Sequence, residues 1–141
     1  MSKLALLVHG FNVRDRGEGT IGRLRPFFIA RGCDPILFQV GFMGIIQVYT
    51  QNMKHAERLA LAAENAKKLG HEVIAVGHSN GAAIIHLAST KFHAPFDRIT
   101  YINPALDNEL APGSQVGEFI VWHSPSDRPV KWSRLLPKSH W

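Results

Sequence analysis

At 141 residues, 45% of them hydrophobic, the chain has the length and apolar content of a single domain, residues 1–141, around one ordinary core. Lys and Arg number 16 against 11 Asp and Glu, a formal charge of +5. They are scattered and form no run that would track a phosphate backbone, which argues against a nucleic-acid partner.

The single cysteine, Cys33, excludes an internal disulfide and fits a reducing, cytoplasmic setting. The apolar run from Leu4 to Val8 is too short for a signal-peptide core or a membrane span, so a soluble protein is expected. It reads instead as a strand buried on both faces, ending at His9-Gly10. Thr20 can cap a helix running through Leu24, Phe27 and Phe28 to a stop at Gly32, and Pro35 to Val40 reads as a second strand. Between about Thr50 and Leu69, the residues Met53, Ala56, Leu59, Ala63 and Ala66 recur at three- and four-residue steps, with Gly70 as a C-terminal cap. This is the clearest helix.

Glu72 to Val76 is a third strand, and Ala82 to Lys91 is apolar nearly all round, as a central buried helix would be. The connection from Asn103 to Gly117 carries Pro104 and Pro112 and is expected to be a loop with at most one or two helical turns. Ile99 to Ile102 and Phe119 to Trp122 supply the last two strands. Strands alternating with helices or crossover loops predict an α/β, doubly wound, five-stranded parallel sheet in the order 2-1-3-4-5.

Gly77-His78-Ser79-Asn80-Gly81 matches G-x-S-x-G, and it falls between a predicted strand and a predicted helix. That setting is the one a nucleophile elbow requires, because the sharp turn strains the serine and leaves no room for side chains two residues to either side. The plainer alternative is a tight turn in which Ser79 merely caps the helix. Against it stands Val8-His9-Gly10-Phe11-Asn12 at the end of the first strand, where the backbone amide of Phe11 can join that of Asn80 in binding the oxyanion of a tetrahedral intermediate.

Through Leu6-Leu7-Val8-His9-Gly10-Phe11 and Gly77-His78-Ser79-Asn80-Gly81, the sequence resembles the α/β-hydrolase superfamily, in order from Leu4 to about Asp127. It looks like the small lidless serine esterases of bacteria and their phages, reduced to a minimal core without the two leading strands and the last strand of a full sheet. The resemblance implies a triad in the chain order Ser, acid, His. Asp127, after the fifth strand, is the implied acid, with Asp107 its rival. Only His140 follows Asp127, so it is the implied base, with His123 as the fallback. Val130 to Leu136 can form about two helical turns before Pro137, enough to return His140 to within hydrogen-bonding reach of Ser79.

His9 and His78 flank the site and are structural in such folds. His55, His71, His86 and His93 show no metal-ligand spacing and read as surface or helix-face residues, and neither a metal nor a cofactor is expected. Gly17-Glu18-Gly19-Thr20-Ile21-Gly22 satisfies G-x-G-x-x-G, but it lies too far past Val8 for a dinucleotide loop, and the second strand ends without an acid for a ribose. These glycines are expected to let the loop beside the oxyanion hole bend.

The expected chemistry is hydrolysis of a carboxylic ester or thioester through an acyl-enzyme on Ser79. With no segment long enough for a lid, Phe11, Phe42, Met43, Ile45 and Ile46 are the expected walls of an open site for small or surface-presented acyl groups. The competing readings are a binding module that has kept the fold and lost its base, and a nucleotide-binding protein using the glycine loop.

Overall fold

The computed structural model describes residues 1–106 and 111–124. The sheet runs β2-β1-β3-β4-β5 with every neighbouring pair parallel, built from β1 (Lys3–Val8), β2 (Cys33–Phe38), β3 (Glu72–His78), β4 (Arg98–Ile102) and β5 (Glu118–Trp122). The predicted order therefore holds. The register sets Val8 of β1 against Gly77 of β3, and His78 against Ile102 of β4. The end of β1 and the turn after β3 are thereby brought to the same rim of the sheet.

Strand alternation divides the core between the two faces. Leu4, Leu6, Val8, Val73, Ala75, Ile99 and Tyr101 belong to a cluster with the buried residues of α2 (Ile45–Lys68) and α3 (Asn80–Lys91). Ala5, Leu7, Ile74 and Val76 belong to a second cluster with Ile21, Cys33 and Leu37. On that second side a groove of about 780 Å³ is lined by Leu24, Phe28, Ile74, Val76, Ile102 and Trp122, among others. Among the described residues, none of the predicted site residues lines it.

Three boundaries differ from expectation. Residues 20–32 do not form one capped helix. The Thr20 side chain makes no capping bond, and its hydroxyl donates to the carbonyl of Gly17 (3.3 Å). A 3-10 turn, Ile21–Leu24, leads instead into the short α1 (Arg25–Ile29), whose first turn holds Pro26. The second strand begins at Cys33, before Pro35, because β2 is an edge strand and an edge tolerates a residue without an N–H. The long helix α2 begins at Ile45 on a Gly44 cap, well before Thr50. Its buried stripe passes through Val48, Asn52, His55, Ala56 and Leu59, whereas Met53 is exposed. The described parts of the 103–117 connection contain no helix.

Among the described residues, no helix is long and apolar enough to cross a membrane. Cys33 is free and buried.

Candidate active site

Ser79 sits between the last residue of β3 and the first of α3, at φ 54 and ψ −121. A non-glycine residue held at positive φ away from the ordinary left-handed well costs about 1–3 kcal/mol and persists only where its surroundings fix it. They do so here. The Ser79 amide donates to the carbonyl of Ile102 (3.0 Å), and its carbonyl accepts from the amides of Ala82 (3.1 Å) and Ala105 (3.2 Å).

The flanking glycines are explained by contact distance. A β-carbon on Gly77 would stand 2.7 Å from Cα of Ala82, and one on Gly81 would run into the carbonyl oxygen of Val8. These obstacles are backbone atoms, which cannot rotate aside. The turn and the end of β1 are pressed together, and the elbow requires glycine on both sides.

From the β1 side, Gly10 closes on the same point: a β-carbon there would lie 2.8 Å from Cβ of Ser79 and 3.3 Å from the backbone nitrogen of Asn80. Phe11 follows Gly10 and opens a turn in which Asn12 adopts φ 56. The Asn12 amide donates to the carbonyl of Met43 (2.8 Å), tying this loop to the segment before α2. Asn80 is the first residue of α3, so its N–H is among those a helix leaves without an intrahelical acceptor. The two backbone segments assigned to the oxyanion hole thus meet beside Ser79.

His9 is buried, and its Nδ1–H donates to the carbonyl of Gly10 (3.1 Å). Burial holds its pKa below the ordinary 6.5, outweighing the opposing pull of the Gly10 carbonyl and of Asp15. His55, read from the sequence as a surface or helix-face residue, is buried on the inner face of α2. Burial, followed by the charges of Arg58, Lys54 and His9, lowers its pKa. His123 follows β5 and is exposed. Asp107, Asp127 and His140 lie outside the described residues.

Phe11, Phe42, Ile45 and Ile46 are all exposed, the last two in the first turn of α2. Met43 is a correction: its side chain is 0% exposed, packed in the core beneath them, and offers no wall to an open site. Arg14 lies 5.2 Å from the centre of the Phe42 ring.

One contributor escaped the sequence reading. Asn52 of α2 and Asn80 form a reciprocal carboxamide pair (2.8 and 2.9 Å), with both residues buried. A polar residue interrupting the buried stripe of α2 was the available signal.

The glycine-rich loop has its own use for its amides. Those of Gly17 and Gly19 donate to the Asp15 carboxylate (3.0 and 2.7 Å), and that of Gly22 donates to the carbonyl of Gly17 (2.7 Å). A phosphate would have to displace a carboxylate already seated there. Gly17 also lies against His9, where a β-carbon would come within 2.9 Å of Cβ of His9. Among the described residues no group of three or more His, Cys, Asp or Glu is placed to hold a metal.

The elbow, the parallel sheet and its strand order define the α/β-hydrolase fold, and the chain has that fold. Similar solved structures include a protein of the α/β-hydrolase superfamily from Xanthomonas campestris pv. campestris, with TM-score 0.58 and 19% identity over 96% of this chain and 81% of that one. Lysin B from mycobacteriophage D29 is similar at TM-score 0.58 and 12% identity over 86% of this chain. The monoacylglycerol lipase of Paleococcus ferrophilus is similar at TM-score 0.54 and 20% identity over 74% of it. The match spans 64% of the lysin and 39% of the lipase. No family model matches the sequence, and no curated protein does.

Proposed function

We propose that the protein is a serine hydrolase that cleaves a carboxylic ester or thioester through an acyl-enzyme on Ser79. The observation that carries this reading is the strained Ser79 (φ 54) between β3 and α3, with Gly10 and the Asn80 amide against it. A structural turn has no need of a serine in that conformation. A nucleophile does, because the elbow projects its hydroxyl clear of the sheet toward donors able to bind an oxyanion.

In the proposed mechanism His140 takes the proton from Ser79 Oγ as the oxygen attacks the acyl carbonyl. The amides of Phe11 and Asn80 stabilise the resulting oxyanion. Asp127 holds the imidazole in the required tautomer and stabilises the imidazolium. The imidazolium then gives its proton to the departing alcohol or thiol, and water hydrolyses the acyl-enzyme by the same route. His123 is the weaker candidate for the base, since β5 lies two strands from β3, roughly 10 Å across the sheet.

The exposed Phe11, Phe42, Ile45 and Ile46 support an open site for small or surface-presented acyl groups. The likeness of fold to a monoacylglycerol lipase is compatible with acyl-ester chemistry. The chemistry requires no metal or cofactor.

The test is hydrolysis of p-nitrophenyl esters of increasing chain length. Turnover of the acetate or butyrate that disappears in Ser79→Ala supports the reading. Turnover unchanged by Ser79→Ala, or none in the wild type, rejects it.

A further inference from the structure

We infer that Asn52 is a positioning residue of the oxyanion hole, acting through Asn80; this rests on the serine-hydrolase reading of the site. The amide that would bind the oxyanion belongs to the peptide plane between Ser79 and Asn80. One end of that plane is fixed by the Ser79 carbonyl, which accepts from Ala82 and Ala105. The other end is the Cα of Asn80, and the Asn52 carboxamide fixes it. Asn52 Nδ2 donates to Asn80 Oδ1 (2.8 Å), and Asn80 Nδ2 donates to Asn52 Oδ1 (2.9 Å).

Such a reciprocal pair, with two hydrogen bonds, fixes direction as well as separation. It sets the Asn80 side-chain torsions and the approach of α2 to the first turn of α3 together. Asn80 is 1% and Asn52 4% exposed, so water does not compete for either amide. Stability alone gives no reason for the pair, because two apolar side chains of the same shape would fill the space with nothing left to satisfy. Directional control of the neighbouring backbone amide does give one. Small displacements of an oxyanion donor are expensive, since the donor must point at the position the charge takes only in the transition state.

The experiment compares Asn52→Leu, Asn52→Asp and the double variant Asn52→Leu/Asn80→Leu with the wild type, using p-nitrophenyl butyrate and enzyme concentrations set by active-site titration. The single Leu variant strands the Asn80 amide and is expected to melt lower. The double variant leaves no buried amide and is expected to recover its melting temperature. In both, kcat is expected to fall about 10- to 100-fold, with KM within about twofold and the midpoint of the pH profile unmoved. Asn52→Asp keeps the shape and the acceptor for Asn80 Nδ2, and is expected to fall between them and the wild type.

A double variant that recovers both melting temperature and kcat would assign the pair to packing and overturn the inference, as would Asn52→Leu or Asn52→Asp with wild-type kcat. Wild-type turnover that Ser79→Ala abolishes shows that such a result sinks the inference and leaves the serine-hydrolase reading standing.

Discussion

Gly10 and Ser79 approach so closely that a β-carbon on the glycine would stand 2.8 Å from Cβ of the serine. The same β-carbon would come within 2.7 Å of the carbonyl oxygen of His78, which cannot turn away. Gly10→Ala is therefore expected to push the Gly10-Phe11 segment off the elbow, destabilising the protein by about 1–3 kcal/mol. Because that segment would carry one of the two oxyanion donors, turnover should fall by about 100-fold. Denaturant melts together with kcat on the folded variant check both effects.

Acid pH should loosen the region beneath the oxyanion loop. His9 and His55 are each held below the ordinary 6.5, primarily by burial. Among the described residues, Nε2 of each is buried without a hydrogen-bond partner. In the unfolded chain both bind a proton as pH falls through about 6.5, while the folded protein resists doing so, so the unfolded state gains protons first. Their contribution to stability is complete above that pH and is lost as pH falls toward the folded-state values. The melting temperature should drop between pH 7 and pH 5, and the slope should be shallower in His55→Gln.

Asp97 makes a separate prediction at the opposite end of the sheet. Its carboxylate accepts from Lys67 Nζ (2.8 and 2.9 Å) and from the Val73 amide (2.7 Å), joining the end of α2 to the start of β3. Burial alone would raise its pKa, but these hydrogen bonds and the Lys67 charge outweigh it and hold the pKa below 3.8. A depressed carboxylate stabilises the fold above its unfolded-state pKa, and this is lost as pH falls through the lower folded value. Asp97→Asn should flatten the acid limb of the stability curve below about pH 4. Because the Lys67–Asp97 pair is partly exposed, the coulombic part of the loss at pH 7 is expected to be under about 1 kcal/mol.

The strands and the elbow were legible because both depend on local pattern, and the alternation of strands with helices then pointed to the sheet order. Continuous apolar runs such as Leu4 to Val8 and Val73 to Val76 mark strands buried on both faces, and Gly77 and Gly81 mark a turn with no room for side chains. The start of α2 was not legible, because Gly44 caps without a side-chain oxygen and the exposed Ile45 and Ile46 read as pocket wall. Asn52 and His55 were missed for a related reason. In a periodicity reading a polar residue counts toward the solvent face, whereas both side chains are buried and Asn52 is paired with Asn80. Met43 failed the other way, since nothing local separates an apolar residue that lines a pocket from one that fills the core.

The acid and the base are assigned by chain order, so mutation decides between the candidates. Asp127→Asn should lower turnover by several orders of magnitude, about 10⁴-fold, with little change in melting temperature, because the acid sets the tautomer and charge of the base. His140→Ala should lower it at least as far. If Asp107→Asn is the damaging change and Asp127→Asn is silent, the acid is Asp107. If His123→Ala abolishes turnover while His140→Ala does not, the base is His123.

The central claim is that Ser79 is an activated nucleophile, and a fluorophosphonate probe reads this without knowledge of the substrate. Only a serine with a functioning base and oxyanion donors reacts at low probe concentration. Incubation of the wild-type protein, digestion and mass spectrometric mapping should place one phosphonyl adduct on the peptide containing Ser79, and Ser79→Ala should abolish labelling. An unlabelled wild type, or labelling that survives Ser79→Ala, would contradict the account.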